Sequence, residues 1–252
     1  MKLPVLLFAA AFLAPAQPTR KESGPQSLVI QYHSTLAGRP SLCESIRSEG
    51  LDSLEDWKSR GAVASYHLLF SRYIDTNNWD MLAIVNFRSY NDAVRWKDVE
   101  SRRPAGLPLQ TLATIVSVAT YPADLARGDA PETAPPAPAY LVIPYNLTVA
   151  PEAYLQYFDE YVKPQLAGWK HEGILAGYAL YMQRYTAARP WDVMLILEYK
   201  DDAALGQRER VVAKIRAELA SDSRWLAIAN SKQSVRTERE AIVADEIFPA
   251  RQ

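Results

Sequence analysis

Apolar residues along the chain follow a strand–helix–strand–strand–helix–strand pattern that occurs twice. Each half begins with a short run of apolar and β-branched residues, LVIQYHST at 28–35 and LVIPYNLT at 141–148, which is typical of a β-strand. Large apolar residues then recur at helical spacing up to Trp57 in the first half and Trp169 in the second. Two strands, a polar helix and a final extended segment complete each half. The further strands are predicted at 62–73, 79–88 and 112–121, and at 174–185, 191–200 and 234–246.

The middle of the two halves is a direct sequence repeat. Residues 57–87 and 169–199 align without a gap, and 11 of 31 positions are identical. Gly61 and Gly173 align within it and are predicted to end the preceding helices as C-caps. A long repeat in only two copies is not a solenoid unit. The pattern instead predicts an α+β protein made of two tandem ferredoxin-like βαββαβ domains.

This element order, with its hairpin rich in Trp and Tyr, resembles the dimeric α/β-barrel superfamily. In that superfamily two sheets face each other and close a barrel, usually between two subunits. The resemblance therefore implies two domains packed sheet to sheet as an α/β barrel within one chain. Members include cofactor-independent antibiotic-biosynthesis-type monooxygenases, EthD-like barrels, small cyclases, and haem enzymes such as chlorite dismutases. No motif selects among these members, so the resemblance assigns no catalytic residue.

The N-terminus has the pattern of a signal peptide. Lys2 precedes an apolar run at 3–13, and the A-x-A sequence at 14–16 predicts cleavage before Gln17. The apolar run is too short to span a bilayer. We therefore expect a signal peptide at 1–16 and an exported protein, periplasmic or extracellular, that is not an integral membrane protein. An uncleaved membrane anchor is the alternative.

Composition divides the remaining chain into four segments. A polar, flexible leader is expected at 17–26, the first repeat at 27–121 and the second at 140–249. The segment 122–139 between them holds five prolines in 18 residues, as in a semi-extended linker.

Charge and cysteine content exclude several classes of site. The formal net charge is −1, so no global attraction to nucleic acid or to an anionic membrane is expected. Cys43 is the only cysteine and the chain has three histidines, which is too few cysteines for a Cys-rich zinc site. We expect no metal, no other cofactor and no nucleic-acid partner. The sequence is compatible with a homo-oligomer.

The motif RY-x5-WD occurs in both repeats, at 72–80 and 184–192. If the gap is a hairpin loop, the arginine faces the aspartate and the tyrosine faces the tryptophan across two strands. Each such pair stabilises a hairpin by about 0.2–1 kcal/mol and fixes its register. The alternative is an Arg–Asp dyad that holds a substrate carboxylate, Arg72 with Asp80 or Arg184 with Asp192.

The same register assigns side chains to the two faces of the sheet. The uniformly apolar face, which includes Met81, is expected to pack under the helices. The opposite face then lines the barrel interior with Tyr66, Asn86, Tyr178 and Glu198. These groups would suit a small apolar or aromatic ligand with a hydroxyl or amine donor. The alternative is a filled barrel in which the tyrosine hydroxyls bond to Asn86 and Glu198.

His33 and Glu198 are the candidate catalytic residues. A buried Glu198 would have a raised pKa and could act as an acid or a base. His33 breaks the repeat, because Asn146 stands in its place. The predicted register puts His67 on the helix side, His171 lies in a polar turn, and we expect none of the three histidines to bind haem.

Two functions stay open from the sequence. The first is an exported barrel that binds a small molecule, with cofactor-independent oxygenase or isomerase-type activity. The second is a non-catalytic binding or interaction module with a filled barrel. An enzyme requires reactive groups that converge on a solvent-reachable space.

Overall fold

The computed structural model describes residues 26–248. The predicted signal peptide and all but the last residue of the leader lie outside these residues, as does the C-terminus from 249. Within the described part of the chain, no helix is both long and apolar enough to cross a membrane.

The strands of residues 26–248 form one antiparallel sheet that closes on itself. Eight of them follow each other around the ring in the order β1, β3, β2, β9, β5, β7, β6, β4 and back to β1, while β8 extends the edge of β5. The tandem ferredoxin-like barrel predicted from the sequence is therefore confirmed. The strands are β1 Ser27–Ser34, β2 Ser65–Ser71, β3 Met81–Asn86, β4 Ile115–Asp129, β5 Ala139–Leu147, β6 Leu175–Gln183, β7 Val193–Tyr199, β8 Arg236–Glu238 and β9 Ile242–Glu246.

Helices cover the outside of the barrel. Both predicted C-caps are confirmed, because Gly61 and Gly173 have φ values of 74° and 79°, which glycine adopts without strain. The helical segments that follow the β-hairpins each begin at a side-chain cap, from Ser89 in the first repeat and from Asp201 in the second. The helices are α1 Arg39–Ser45, α2 Leu51–Ser59, α3 Tyr90–Glu100, α4 Leu109–Leu112, α5 Pro151–Tyr157, α6 Lys163–His171, α7 Asp202–Gly206, α8 Arg208–Leu219 and α9 Ser223–Ser231. A π-helical turn joins α1 to α2 at Ile46–Gly50 and α5 to α6 at Phe158–Val162.

The last strand of each repeat joins the two repeats. β4 pairs with β1 of its own repeat and with β6 of the other, and β9 likewise pairs with β5 and β2. This second partner extends β4 to Asp129, past the expected domain end at 121, because residues 123–129 bind β6. The predicted strand at 234–246 is instead two short strands, β8 and β9.

The hairpin register differs by one residue from the predicted one. Phe70 pairs with Met81, and the amide of Ser71 donates to the carbonyl of Asp80 at 2.8 Å. The amide of Arg72, expected to face Asp80, instead donates to Val243 on β9 at 2.8 Å. The second repeat has the same shift. Because side chains alternate along a strand, this shift reverses the predicted faces of β2 and β6 and leaves those of β3 and β7 unchanged.

Apolar side chains fill the middle of the barrel. Val29, Leu82 and Ile84 from the first repeat meet Met194 and Ile196 from the second, and all are buried. Two further apolar cores lie between the sheet and the helices, one in each repeat. The middle of the barrel is therefore filled.

Candidate functional site at the linker end of the barrel

The predicted interior residues divide according to the register shift. Asn86 and Glu198 face the interior as expected. Tyr66 does not, because it packs in the helix-side core and donates to Glu55 on α2 at 2.6 Å. Tyr178 is likewise on the helix side, with its ring 6.0 Å from that of Phe158. The predicted inward orientation of these two side chains was wrong, although Tyr178 still borders the cavity described below.

The predicted pairing within the RY-x5-WD motif was also wrong. Arg72 binds Asp245 and Arg184 binds Asp124, so each arginine contacts the last strand of the other repeat. The two motif aspartates bind the ends of the first strands. Asp80 Oδ2 accepts from the amide of Ser34, and Asp192 Oδ2 accepts from that of Leu147, each at 2.7 Å. These ion pairs and hydrogen bonds explain the motif without a substrate dyad.

One end of the barrel is closed by the two tryptophans of the motif. Trp79 and Trp191 are 3% and 1% exposed, whereas the motif tyrosines Tyr73 and Tyr185 lie at the surface, so the expected Tyr–Trp pairs do not form. His33 lines the cavities at this tryptophan end. It is therefore remote from Glu198, and the two candidate catalytic residues do not share a site.

A cavity of about 310 Å³ opens at the other end, beside the linker, and we call it the linker mouth. Its volume is at the lower end of the range for small-molecule pockets. Both repeats contribute to it, as do the linker and the last described residue. It is lined by His67, Leu69, Ile84, Ala130, Pro131, Ala134, Tyr140, Tyr178, Ala179, Tyr181, Ile196, Glu198, Glu246 and Phe248.

Four ionisable groups meet in the linker mouth. His67 Nδ1 lies 2.9 Å from Glu246 Oε1, and the Tyr140 hydroxyl donates to Glu246 Oε2 at 2.7 Å. Glu198 lies beside them, since it pairs with Tyr140 across β5 and β7. The His67 side chain is 43% exposed and that of Glu246 only 15%, so the cluster extends from solvent into the barrel.

Burial and mutual charge shift the pKa values of these groups. Desolvation and the negative charge of Glu246 raise the pKa of Glu198 above its usual range. Burial lowers the pKa of His67, but its hydrogen bond to Glu246 and the charges of Glu246 and Glu198 outweigh burial, so the net shift is upward. Desolvation, aided by both glutamates, raises the pKa of Tyr140. The cluster can therefore hold a proton that a surface carboxylate would release.

Asn86 organises the wall beside this cluster. Its Oδ1 accepts from Ser27 Oγ at 2.8 Å and from the Tyr181 hydroxyl at 3.3 Å, while its Nδ2 donates to Ser65 at 3.0 Å. The amide thus anchors Tyr181, whose ring is part of the apolar wall.

Sequence reasoning missed three of the four clustered residues. His67 was placed on the wrong face by the register shift. Tyr140 and Glu246 come from strands β5 and β9, which meet β2 only through the closure of the ring. One signal was available, because His67 and Tyr140 both break the repeat, with Ala179 and Ser27 at the equivalent positions.

The residues of the linker mouth do not fit haem. Haem carries two propionate carboxylates, whereas Glu198 and Glu246 would repel negative charge here. No set of three or more His, Cys, Asp or Glu side chains among residues 26–248 is arranged to hold a metal ion.

Solved structures resemble the fold over nearly the whole chain. An anthrone oxidase-like protein superposes with a TM-score of 0.56 at 10% identity, over 92% of this chain and 98% of its own. A monooxygenase-type protein from Lactobacillus acidophilus NCFM gives 0.52 at 10% identity, over 89% and 95%. A chlorite dismutase from Candidatus Nitrospira defluvii gives 0.50 at 14% identity, over 89% and 92%.

These identities are evidence for a shared fold alone. No protein-family model and no curated protein sequence matches the chain. The predicted resemblance is confirmed at the level of the fold: the chain has the architecture of the dimeric α/β-barrel superfamily, with both halves of the barrel in one polypeptide.

Proposed function

We propose that the linker mouth binds a small, largely apolar or aromatic molecule and that Glu198 exchanges a proton with it. The observation that carries this proposal is the raised pKa of Glu198, beside the His67–Glu246–Tyr140 cluster, in a solvent-reachable cavity with apolar walls. A carboxyl group whose pKa approaches the working pH is suited to general acid–base catalysis.

The other groups of the cluster have supporting roles in this proposal. Glu246 fixes His67 and Tyr140 in place by hydrogen bonds. Because the single O–H of Tyr140 is donated to Glu246, the remaining donor of the cluster is the second ring N–H of a protonated His67. A protonated His67 would stabilise negative charge that forms on a ligand oxygen after Glu198 removes a proton. Apolar walls such as Ile84 and Ile196 would bind the body of the ligand.

Anthrone is a suitable test substrate, because the structural neighbour with the highest TM-score given above is an anthrone oxidase-like protein. Its methylene hydrogens are acidic, and removal of one gives an enolate that reacts directly with O2. The overall reaction, anthrone plus O2 to anthraquinone plus water, balances without a cofactor. Catalysis by Glu198 would therefore produce both deuterium exchange at the methylene carbon in D2O and oxygen uptake.

The experiment compares wild type, Glu198→Gln and the control Glu152→Gln, whose carboxyl group lies on the surface of α5. NMR would follow deuterium incorporation into anthrone, and an oxygen electrode would follow O2 uptake. We expect catalysis by wild type and the control, and a loss of about 10²- to 10⁴-fold in Glu198→Gln. Equal rates in all three proteins would reject Glu198 as the acid–base group.

A non-catalytic binding module is the second candidate, and the filled middle of the barrel favours it. Neutral aromatic alcohols and amines would then bind the linker mouth without chemical change. Fluorescence screening of the purified protein, with mass spectrometry of co-purifying compounds, distinguishes the two candidates. Ligand binding without exchange or oxidation of any ligand found would support the module.

Export remains part of the proposed function. The Lys2, apolar and Ala-Pro-Ala pattern supports cleavage before Gln17 and a periplasmic or extracellular location. N-terminal sequencing of the protein from its native host should begin at Gln17. An intact Met1 on a membrane-bound form would reject this proposal.

A further inference from the structure

A second cavity, of about 480 Å³, lies between the sheet and the helices of the second repeat. We call it the helix-side cavity, and it is separate from the linker mouth. Ile143, Leu195 and Leu197 form its sheet wall, while Tyr161 and Trp169 come from the helical side. Its volume is within the range of small-molecule pockets.

Cationic side chains dominate the polar part of the helix-side cavity. Arg208, Arg216, Lys232 and Arg236 line it, against the single carboxylate of Glu238. The Arg236 guanidinium lies 3.8 Å above the centre of the Tyr145 ring. Among residues 26–248, Arg236 forms no ion pair.

Several buried donors around this cavity have no well-aligned acceptor. Within the described chain, Arg236 Nη1, Arg208 Nε, Trp169 Nε1 and the Tyr199 hydroxyl make no hydrogen bond of good geometry. The hydroxyls of neutral tyrosines lie beside both guanidinium groups, from Tyr199 at Arg208 and from Tyr145, Tyr154 and Tyr157 at Arg236. Trp169 is 5% exposed and Tyr199 is 0% exposed. Arg208 pairs through Nη1 with Glu209, whose side chain lies on the outside. A buried donor without an acceptor is destabilising, so this number of them indicates a missing acceptor.

The first repeat provides an internal comparison. Trp96 aligns with Arg208, and its ring lies 5.4 Å from that of Trp57 and 6.0 Å from that of Phe87. These two residues align with Trp169 and Tyr199, so an apolar ring fills the position that Arg208 occupies in the second repeat.

The tyrosines that align on the first strands differ in the same way. Tyr32 donates its hydroxyl to the carbonyl of Ala105 at 2.6 Å, whereas its counterpart Tyr145 lies under Arg236. At these aligned positions the first repeat has packed rings and a hydrogen-bonded tyrosine, whereas the second repeat has a cavity lined by arginines. Since both repeats share one fold, the difference is specific to the second repeat and is not required by the architecture.

We propose that the helix-side cavity binds an organic carboxylate with an aromatic or apolar body. A carboxylate only accepts hydrogen bonds, which matches the surplus of donors, and its two oxygens fit the planar guanidinium groups of Arg208 and Arg236. The apolar walls formed by Ile143, Leu195 and Leu197 would enclose its body. The site is independent of Glu198 and of the function proposed for the linker mouth.

Matched pairs of ligands test this proposal on the whole protein. Benzoate, 2-naphthoate and decanoate would be compared with benzyl alcohol, 2-naphthalenemethanol and decanol by calorimetry and by tryptophan fluorescence. We expect at least one carboxylate to bind the wild type about 10- to 100-fold more tightly than its alcohol, as hydrogen bonds to charged groups provide. If the wild type bound each carboxylate no more tightly than its matched alcohol, or bound no carboxylate, the proposal would be overturned. This test uses the wild type alone and needs no folded variant.

Variants then locate the bound carboxylate. Arg236→Gln and Arg208→Gln should each weaken carboxylate binding about tenfold or more. The control Arg210→Gln, on the exposed side of α8, should leave the affinity unchanged. The melting temperature of each variant would show that it is folded. Glu198→Gln should leave the affinity unchanged, which separates this site from the linker mouth. Carboxylate binding that is unchanged in both folded arginine variants would overturn the assignment.

Discussion

Arg72, the residue after β2 of the first repeat, binds Asp245 on β9 of the second, with 2.6 Å between Nη2 and Oδ1. The repeat provides the counterpart, in which Arg184, the residue after β6, binds Asp124 on β4, with 2.6 Å between Nε and Oδ2. The two ion pairs stand at the two junctions where the repeats exchange strands. The arginine of the motif therefore occurs in both copies because each copy binds the other.

Double-mutant cycles should detect this pairing. We expect Arg184→Ala and Asp124→Ala to be coupled by about 0.2–1 kcal/mol in the free energy of unfolding, a modest value because both side chains are about a third exposed. Arg184→Ala and Asp192→Ala should be nearly additive, since Asp192 binds the amide of Leu147 instead. Urea unfolding measures all three single variants and both double variants. Stronger coupling of Arg184 to Asp192 than to Asp124 would contradict the register described above.

The two aromatic residues of the motif should differ sharply in their effect on stability. Trp191 is 1% exposed and closes the tryptophan end of the barrel, so Trp191→Ala should cost about 3–5 kcal/mol of unfolding free energy. Tyr185 is 64% exposed, so Tyr185→Ala should change it by about 0.5 kcal/mol or less. Chemical denaturation with fluorescence detection compares the two. A large effect of Tyr185→Ala would instead support the cross-strand pair of Tyr185 and Trp191 predicted from the sequence.

Local signals in the sequence were enough for the fold. The repeated element order and the glycines at 61 and 173 depend on short stretches of chain, and the structure confirms both. The faces of β3 and β7 were also correct, because their uniformly apolar side is visible in the sequence. The two repeats in one chain, together with the resemblance, were sufficient to predict the closed barrel.

The candidate site was only partly accessible from the sequence. Glu198 could be found on the interior face of β7, since that face was assigned correctly. The register of β2 could not be predicted, because the amide of Arg72 donates to β9, a strand that is far away in the sequence. Glu246 faces Leu69 for the same reason. Long-range strand pairing therefore determines which ionisable groups lie together, and a local sequence pattern does not predict that pairing.

The two halves should depend on each other for solubility. Expressed alone, residues 26–129 would expose the edges of β2 and β4, and residues 139–248 those of β6 and β9. Unpaired strand edges and an open barrel interior promote association. We expect each half to aggregate or self-associate, and co-expression to give a soluble one-to-one complex by size-exclusion chromatography with light scattering. Two stable, monomeric halves that do not associate would contradict the intrachain barrel.

The ionisable cluster of the linker mouth should also make stability depend on pH. The pKa of Glu198 is raised in the folded protein by burial and by Glu246, so the folded state holds its proton more tightly than the unfolded state. Its contribution to stability is therefore complete below the unfolded pKa, near 4.3, and is lost as pH rises through the folded pKa. The pKa of His67 is raised as well, so it acts in the same direction at higher pH, from about 6.5 upward.

Glu198→Gln removes the ionisation of this carboxyl group and keeps its size. We expect the variant to match the wild type in melting temperature near pH 4, and to exceed it near pH 8, where the wild type must hold a buried negative charge beside Glu246. The control Glu152→Gln should follow the wild type at both values, because Glu152 lies on the surface. Differential scanning fluorimetry over this range measures all three proteins. If Glu198→Gln were instead less stable than the wild type near pH 8, the carboxylate would be stabilised in the fold, and Glu198 could not be the proton-holding group of the linker mouth.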